Sequence, residues 1–449
     1  MTDTIFALAS GMGKSAISVV RVSGPQSAII LETLTKKTVP QARLASLRYL
    51  YHPSDQQIID QALILWFPGP KSFTGEDSVE FHLHGGPAVL NLFFDALQTF
   101  GQTRMAEAGE FTKRAFYNQK LDLTKVEGLA DLVAAETVAQ HRQAFQQYQG
   151  QLSNLYQKWR HILLYALAQF EALIDFPDED LPQDLKEKIF ISLQELKHQI
   201  ASHLQDKRGI HIRDGIKIVL FGPPNAGKST FLNYLTQKET AITSPIAGTT
   251  RDSIEIKMDL DGIPILLCDT AGIHKTKHPI ENEAIKRSLD RAYEADLKII
   301  LIDVDNLSNL DQRLVDLIDP QTLIVFNKID LLKNRHIDYQ KIFPTLSTKP
   351  VFISLKENLG LDSFHNQFSQ MINYYLGKNS YEIPAFTRQR HQNALQECHD
   401  SIHRALTTET EEMIAEDLRL ALRTLGKITG AVNIEDLLDV VFKEFCIGK

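Results

Sequence analysis

Cysteine is scarce in this chain: Cys268, Cys398 and Cys446 are the only 3 in 449 residues. Three thiols cannot build a disulfide scaffold, and an all-cysteine zinc site needs four ligands. A reducing compartment is the simplest reading. No apolar run reaches about 18 residues, so no transmembrane helix is expected. The opening MTDTIFALAS has an acid where a secretory signal carries basic residues, so no export signal is expected. Positive charge is not in excess either. Lys and Arg number 48 against 56 Asp and Glu, a net charge of −8. That excludes a positive coat for indiscriminate nucleic-acid binding, but not a local basic groove. Apolar material is plentiful: 43% of residues are of the AVILMFWYC set and 23% are charged, which suits packed cores rather than disorder. At about 150 residues per domain, the length fits about three domains.

Residues 1–118 read as mixed α and β. ISVVRVSG (17–24) and QALILWFPGP (61–70) read as strands ended by Gly-Pro turns. DSVEFHLHGG (77–86) alternates Val79, Phe81 and Leu83 with Glu80, His82 and His84, then ends in Gly-Gly. From about residue 121 the pattern becomes helical, and 121–175 has no internal Pro and almost no Gly. A second helical stretch puts Leu185, Ile189, Leu193, Leu196, Ile200 and Leu204 on one face. Short apolar strands then alternate with helical patterns: 216–221, 263–268, 298–303, 322–326 and 350–354. This is the rhythm of a mostly parallel sheet. Helices return at 388–406, 411–425 and 434–445. The expected division is 1–118, an N-terminal α/β domain; 119–210, a helical domain's first part; 211–376, an inserted α/β domain; and 377–449, the helical domain's second part.

FGPPNAGKST (221–230) follows a strand and precedes a helical pattern. It holds G-x-x-x-x-G-K-S as Gly222, Gly227, Lys228 and Ser229, with Asn225, Ala226 and Thr230 around it. Glycines let backbone amides close around a phosphate, Lys228 can reach the β and γ phosphates, and Ser229 can ligate magnesium. DTAG (Asp269, Thr270, Ala271, Gly272) follows the strand 263–268. Asp269 can act on magnesium through water, and the Gly272 amide can sense the γ-phosphate. NKID (327–330) supplies Asn327, Lys328 and Asp330. A carboxylate at Asp330 can accept from both N1–H and the exocyclic amine of guanine, a donor pair adenine lacks, so this acid selects GTP. Ser354, Leu355 and Lys356 end the next strand and can close over the base. GTTRD (248–252) offers Thr250 as the second magnesium oxygen. All these elements, in order after strands, imply a GTPase domain.

Many regulatory GTPases place Gln after DTAG to orient the attacking water. Here Ile273 stands there, and its side chain cannot do so. Candidates lie in HKTKHPIENE (274–283), where Glu281 is the acid best suited; a solvated charge at a helix start is the plainer reading of it. The Asn225 side-chain oxygen can ligate a monovalent cation beside the phosphates, where an arginine finger would otherwise neutralise charge. GMGKS (11–15) is a decoy: Leu8 stands where a full phosphate loop needs Gly, and no further GTPase motifs follow it on a strand schedule.

With DTI (3–5), VVRVSG (19–24), SFTGEDSVE (72–80), HGG (84–86), GEFTKRAF (109–116), KLDLTKVE (120–127) and FCIGK (445–449) added, the chain resembles the MnmE (TrmE) family of tRNA modification GTPases along its whole length. The resemblance implies an N-terminal folate-binding and dimerisation domain, and a helical domain carrying an inserted Ras-like G domain. It implies a cytoplasmic, potassium-stimulated GTPase that adds a carboxymethylaminomethyl or aminomethyl group at C5 of the wobble uridine of certain tRNAs. It further implies a homodimer, an FAD-dependent MnmG (GidA) partner in a heterotetrameric or larger complex, and a one-carbon unit from 5-formyltetrahydrofolate or a related tetrahydrofolate. By resemblance, Ser229 and Thr250 hold magnesium, Asn225, Ser244, Ile246 and Thr249 hold potassium, and Glu281 orients water. Folate falls on Arg21, Glu80, Lys120 and Lys449; without the resemblance each is an ordinary surface charge. Cys446 has a candidate modification role beside a structural one. Cys268 reads as core, and for Cys398 beside His399 the sequence offers no third residue to complete a metal site or dyad. The chain departs from the family in SGMGKSA (10–16), where a PGRGG turn is common, in Ala108 before GEF, and in HKTKHP, which lacks an Arg. The rival reading is a GTP-switched ribosome or RNA assembly factor, disfavoured by the 1–120 block and FCIGK; a folate-dependent one-carbon enzyme without tRNA is a third.

Overall fold

The computed structural model describes residues 3–175, 185–238, 240–241, 255–269, 290–310, 312–332, 337–343, 349–377, 384–432, 438, 441–442, 445 and 448. The chain divides into two compact units: Met1–Ala130, Gln147–Leu193 and Asp400–Lys449, and Asp131–Gln146 with Gln194–His399.

The first unit is built on a sheet of β1 (Thr4–Leu8), β2 (Ser15–Ser23), β3 (Ser46–Tyr51), β4 (Ile58–Phe67), β5 (Ser78–Gly85) and β6 (Thr103–Met105), in the order β3-β4-β5-β2-β1-β6. Only the β1–β6 pair is parallel. The period-two pattern of β5 has its expected outcome: Val79, Phe81 and Leu83 are buried, with Val20 and Val22 of β2, beneath the helices Ser27–Thr35 and Pro87–Gln98. GMGKS (11–15) lies in the exposed turn between antiparallel β1 and β2, held by the Ser10 hydroxyl accepting from the Val19 amide at 3.1 Å. A hairpin turn followed by a strand cannot act as a phosphate loop.

Under this sheet lies Arg114, 0% exposed. It donates to Asp3 Oδ1 at 3.0 Å, Glu76 Oε2 at 3.1 Å and Glu110 Oε1 at 3.2 Å. Arg104 adds two bonds to Glu110, at 2.6 and 2.8 Å. Burial pushes the Glu110 carboxyl up, but the bonds from Arg104, the Glu107 amide and Arg114 outweigh it and hold the group below its ordinary 4.5. The Glu110 contribution to stability is therefore complete above about pH 4.5 and is lost as pH falls through the lower folded value. Thermal melting at descending pH should show the Glu110→Gln variant less stable than the parent at pH 7, with a shallower loss under acid. Parallel curves would remove Glu110 from the acid response.

The run 121–175 is three helices: Leu123–Ala134, Val138–Tyr148 and Gln151–Asp175. The first break is made by side-chain capping, with Gln140 Oε1 accepting from the amides of Glu136 and Thr137 at 2.9 and 3.1 Å. The second falls at Gly150, φ +91°. Within the first unit the helix Gln151–Asp175 packs on Glu411–Thr429, with Arg419 Nη2 3.0 Å from Glu171 Oε1. Near the C-terminus Leu438, Val441, Phe442 and Phe445 pack on Leu123 and Val126.

The second unit holds the strands β7 (Ile216–Phe221), β8 (Thr240–Ala241), β9 (Glu255–Leu260), β10 (Ile263–Asp269), β11 (Leu297–Asp303), β12 (Thr322–Asn327) and β13 (Val351–Phe352). Their order is β13-β12-β11-β7-β10-β9-β8, parallel from β13 to β10 and antiparallel beyond. The parallel strands are apolar on both faces and carry cores on each, as the unbroken runs of Ile, Leu and Val require. The order places β7 beside β10 and β11, so the loops that leave their C-terminal ends share one edge of the sheet. No helix among the described residues is long and apolar enough to cross a membrane.

Candidate guanine-nucleotide site and N-terminal pocket

β7 ends at Phe221 and a helix begins at Lys228. The loop between them turns tightly. Gly222 has φ +155° and Gly227 φ +99°, and a Cβ would lie 2.2 Å from the Leu301 carbonyl oxygen at the first and 2.5 Å from Asn327 Nδ2 at the second. Both positions therefore require glycine, by conformation and by space. Asn225 takes φ +59°, which asparagine tolerates, and is exposed. Lys228 Nζ donates to the carbonyls of Gly222 at 2.9 Å and Pro223 at 3.0 Å. The ammonium thus sits on the loop itself, where a phosphate can compete with those carbonyls for it. Ser229 and Thr230 are exposed in the first turn of the helix. β10 ends at Asp269, in register with Leu220 of β7. The Ser229 hydroxyl is a hard oxygen donor of the kind magnesium takes.

The NKID segment and the Ser354–Lys356 segment meet this loop through one amide. Asn327 ends β12 and is 3% exposed. Its Nδ2 donates to the Ala226 carbonyl at 2.9 Å, and its Oδ1 accepts from the Leu355 amide at 3.3 Å. Lys328 follows with φ +66° and places Nζ 2.6 Å from Asp303 Oδ2. Ser354, fully buried, donates to Asp330 Oδ1 at 2.5 Å and accepts from the Glu357 amide at 3.1 Å. That serine hydrogen bond is the main reason the Asp330 carboxyl lies below its ordinary range, helped by the charges of Lys356 and Lys328. An ionised acid fixed at one oxygen can accept paired donors from a purine edge.

In the first unit, Arg21 of β2 and Glu80 of β5 are direct cross-strand partners. Arg21 Nη2 and Nε donate to Glu80 Oε1 at 2.8 and 3.1 Å, and the guanidinium lies over the rings of Phe73 and Phe111, 5.6 and 5.7 Å from their centroids. A pocket of about 330 Å³ opens here, lined by Arg21, Arg43, Phe67, Phe73, Ser78 and Glu80 among others. Aromatic walls with a carboxylate and two guanidinium groups suit a flat, polar-edged ligand with an anionic tail. Lys120 is not in the lining; its Nζ donates to the Pro70 carbonyl at 2.7 Å, bracing the loop that supplies Phe73. Gly448 comes back to β1, where a Cβ would lie 2.1 Å from the Leu8 carbonyl oxygen. The neighbouring Ala7 is in register with Arg21.

The family model for the MnmE helical domain matches residues 123–446, and that for the N-terminus of the GTP-binding protein TrmE matches 4–120. The tRNA modification GTPase MnmE of Paramagnetospirillum magneticum is 44% identical over 451 residues, covering 100% of both chains. The chain belongs to the MnmE family. A second relative, the tRNA modification GTPase MnmE of Rickettsia rickettsii (strain Sheila Smith), is 43% identical over 452 residues and 100% of both chains. A third, the mitochondrial 5-taurinomethyluridine-[tRNA] synthase subunit GTPB3 of Danio rerio, is 42% identical over 467 residues, covering 100% of this chain and 93% of that one.

In this MnmE family member the structure brings together Asn225, Ala226, Gly227, Lys228, Asn327, Lys328, Asp330, Ser354 and Leu355, and separately Arg21 and Glu80. Lys356 is exposed and pairs with Glu357 at 3.6 Å. Ser244, Ile246, Thr249, Thr250, Thr270, Ala271, Gly272, Glu281, Cys446 and Lys449 lie outside the described residues, as does the Asp269 side chain. Cys268 is buried, and burial pushes its thiol up to about 11, as a core residue requires. Cys398 is buried too, and no group of three or more metal-ligating side chains stands among the described residues. Sequence reasoning missed Asp303. An acid ending the strand 298–303, one strand before NKID, was the available signal.

Proposed function

We propose that the chain hydrolyses GTP in the service of tRNA modification. It works with an FAD-dependent MnmG (GidA) partner and forms the carboxymethylaminomethyl or aminomethyl group at C5 of the wobble uridine. The observation that carries the nucleotide reading is the Asn327 amide, which joins the phosphate loop to the segment closing over the base beside an ionised Asp330. The end-to-end likeness to relatives named tRNA modification GTPase supports the pathway.

In this reading, residues Asn225–Thr230 hold the phosphates, Asp330 reads the base, and Ser229 with Thr250 ligates magnesium. Asn225, Ser244, Ile246 and Thr249 hold potassium, and Glu281 orients the attacking water. Arg21 and Glu80 bind a tetrahydrofolate, which supplies the one-carbon unit; Lys120 braces the pocket and Lys449 completes it. The domains divide at 118/119, 210/211 and 376/377, and the reaction takes place in the cytoplasm. A homodimer through the N-terminal domain finds support in one face of its sheet. Leu47, Leu63 and Ile17, with Tyr49, are exposed there on strands β3, β4 and β2.

GTP hydrolysis measured at equal ionic strength in potassium and in sodium chloride tests the cation assignment. The potassium rate is expected to be higher by about tenfold or more, the effect of a fixed positive charge against developing phosphate charge. Equal rates would remove potassium from the reading.

A further inference from the structure

We propose that Asp303 is a positioning residue for guanine recognition: it holds the Lys328 ammonium and so keeps it from pairing directly with the Asp330 carboxylate. The inference rests on the GTPase reading above and adds a residue that none of the GTPase motifs contains.

Asp303 is fixed by the strand it ends and the turn that follows. It ends β11, a buried strand, and its Cα is in register with Asn327 of β12. Its carboxylate is oriented from both sides. Oδ1 accepts from the Asp305 amide at 3.1 Å, capping the turn that follows, and Oδ2 lies 2.6 Å from Lys328 Nζ. The acid side chain is 13% exposed, so the pair is less screened than one in open solvent.

Lys328 has two acids within its reach. Its backbone is left-handed, φ +66°, and it stands between Asn327 and Asp330. Its charge already acts on Asp330, whose Oδ1 is engaged by Ser354. A lysine stem is long and rich in rotamers, and the ammonium is a point charge with no directional preference of its own. Freed from Asp303, it can swing to the remaining Asp330 oxygen and compete with the guanine N1–H and 2-amino donors. The structure shows the opposite arrangement, with the ammonium anchored on the neighbouring strand. Asp303 thus leaves Asp330 open to the base.

The test is equilibrium binding of GDP, IDP and ADP to the purified full chain. Inosine lacks the 2-amino group, so the GDP-to-IDP ratio reports how well Asp330 engages the base. Asp303→Asn keeps the cap on Asp305 and removes the charge. It is expected to weaken GDP about tenfold and to narrow the GDP-to-IDP ratio several-fold, on the scale of one charge-assisted contact. Asp303→Glu is expected to keep most of both. In a Lys328→Met background, Asp303→Asn should change GDP affinity by less than about twofold, because its effect passes through the ammonium. Should Asp303→Asn fail to fold, Asp303→Ser, which also caps, carries the same measurement. An unchanged GDP affinity, or equal losses for GDP and IDP, would overturn the assignment of Asp303. A parent chain that binds ADP as tightly as GDP would overturn the GTPase reading itself.

Discussion

Replacing Asp330 by Asn is expected to weaken GDP binding by about 10²-fold or more, because the amide keeps an acceptor for N1–H but turns a donor toward the guanine 2-amine and loses the charge. The same change is expected to turn the preference toward xanthosine diphosphate. Xanthine carries an oxo group where guanine carries its 2-amine. An asparagine can accept from N1–H and donate to that oxo group, whereas the Asp330 carboxylate can only accept. The neighbours favour a clean exchange: Ser354 already donates to Oδ1, the atom an amide oxygen would occupy. Titration of parent and variant with both diphosphates checks this. Unchanged GDP affinity would place the base elsewhere.

Lys228→Ala is expected to slow single-turnover GTP hydrolysis by about 10²-fold or more, on the scale of removing one preorganised donor from developing charge. Its ammonium now satisfies two loop carbonyls at 2.9 and 3.0 Å. Those carbonyls lie at a partly open loop that water can reach, so the thermal melt should move little. Lys228→Arg should not restore turnover, because a planar guanidinium cannot take the place of a compact ammonium in so narrow a loop. Hydrolysis close to the parent rate would remove Lys228 from the reaction.

Both expectations rest on motifs legible in the amino-acid sequence alone. A glycine that must have positive φ, or a side chain placed at a strand end, leaves a local signal. Gly222, Gly227, Asn327 and Asp330 have that character. So does β5, whose alternation assigns Glu80 to one face and Phe81 to the other. Contacts across long stretches of chain leave no such trace. The first break in the run 121–175 depends on Gln140 reaching back to two amides, which no Pro announces. β9 escapes the strand pattern because EIKMDL mixes charge with its apolar positions. Its hairpin signal, Asp261-Gly262 with φ +50° and +86°, is nonetheless present in the chain. The return of Gly448 to Leu8 spans the whole unit and is visible only once folded. Asp303 belongs to the same class, since its role depends on a Lys328 conformation set by the strand beside it.

GTP turnover at this site is proposed to serve wobble-uridine modification. Mass spectrometry of tRNA nucleosides from cells lacking the gene, complemented with the parent chain or with Lys228→Ala, tests it. Loss of the C5-carboxymethylaminomethyl and aminomethyl uridines is expected without the gene, with restoration by the parent chain and none by the variant. A nucleoside profile unaltered by loss of the gene would contradict it and favour a GTP-switched assembly factor.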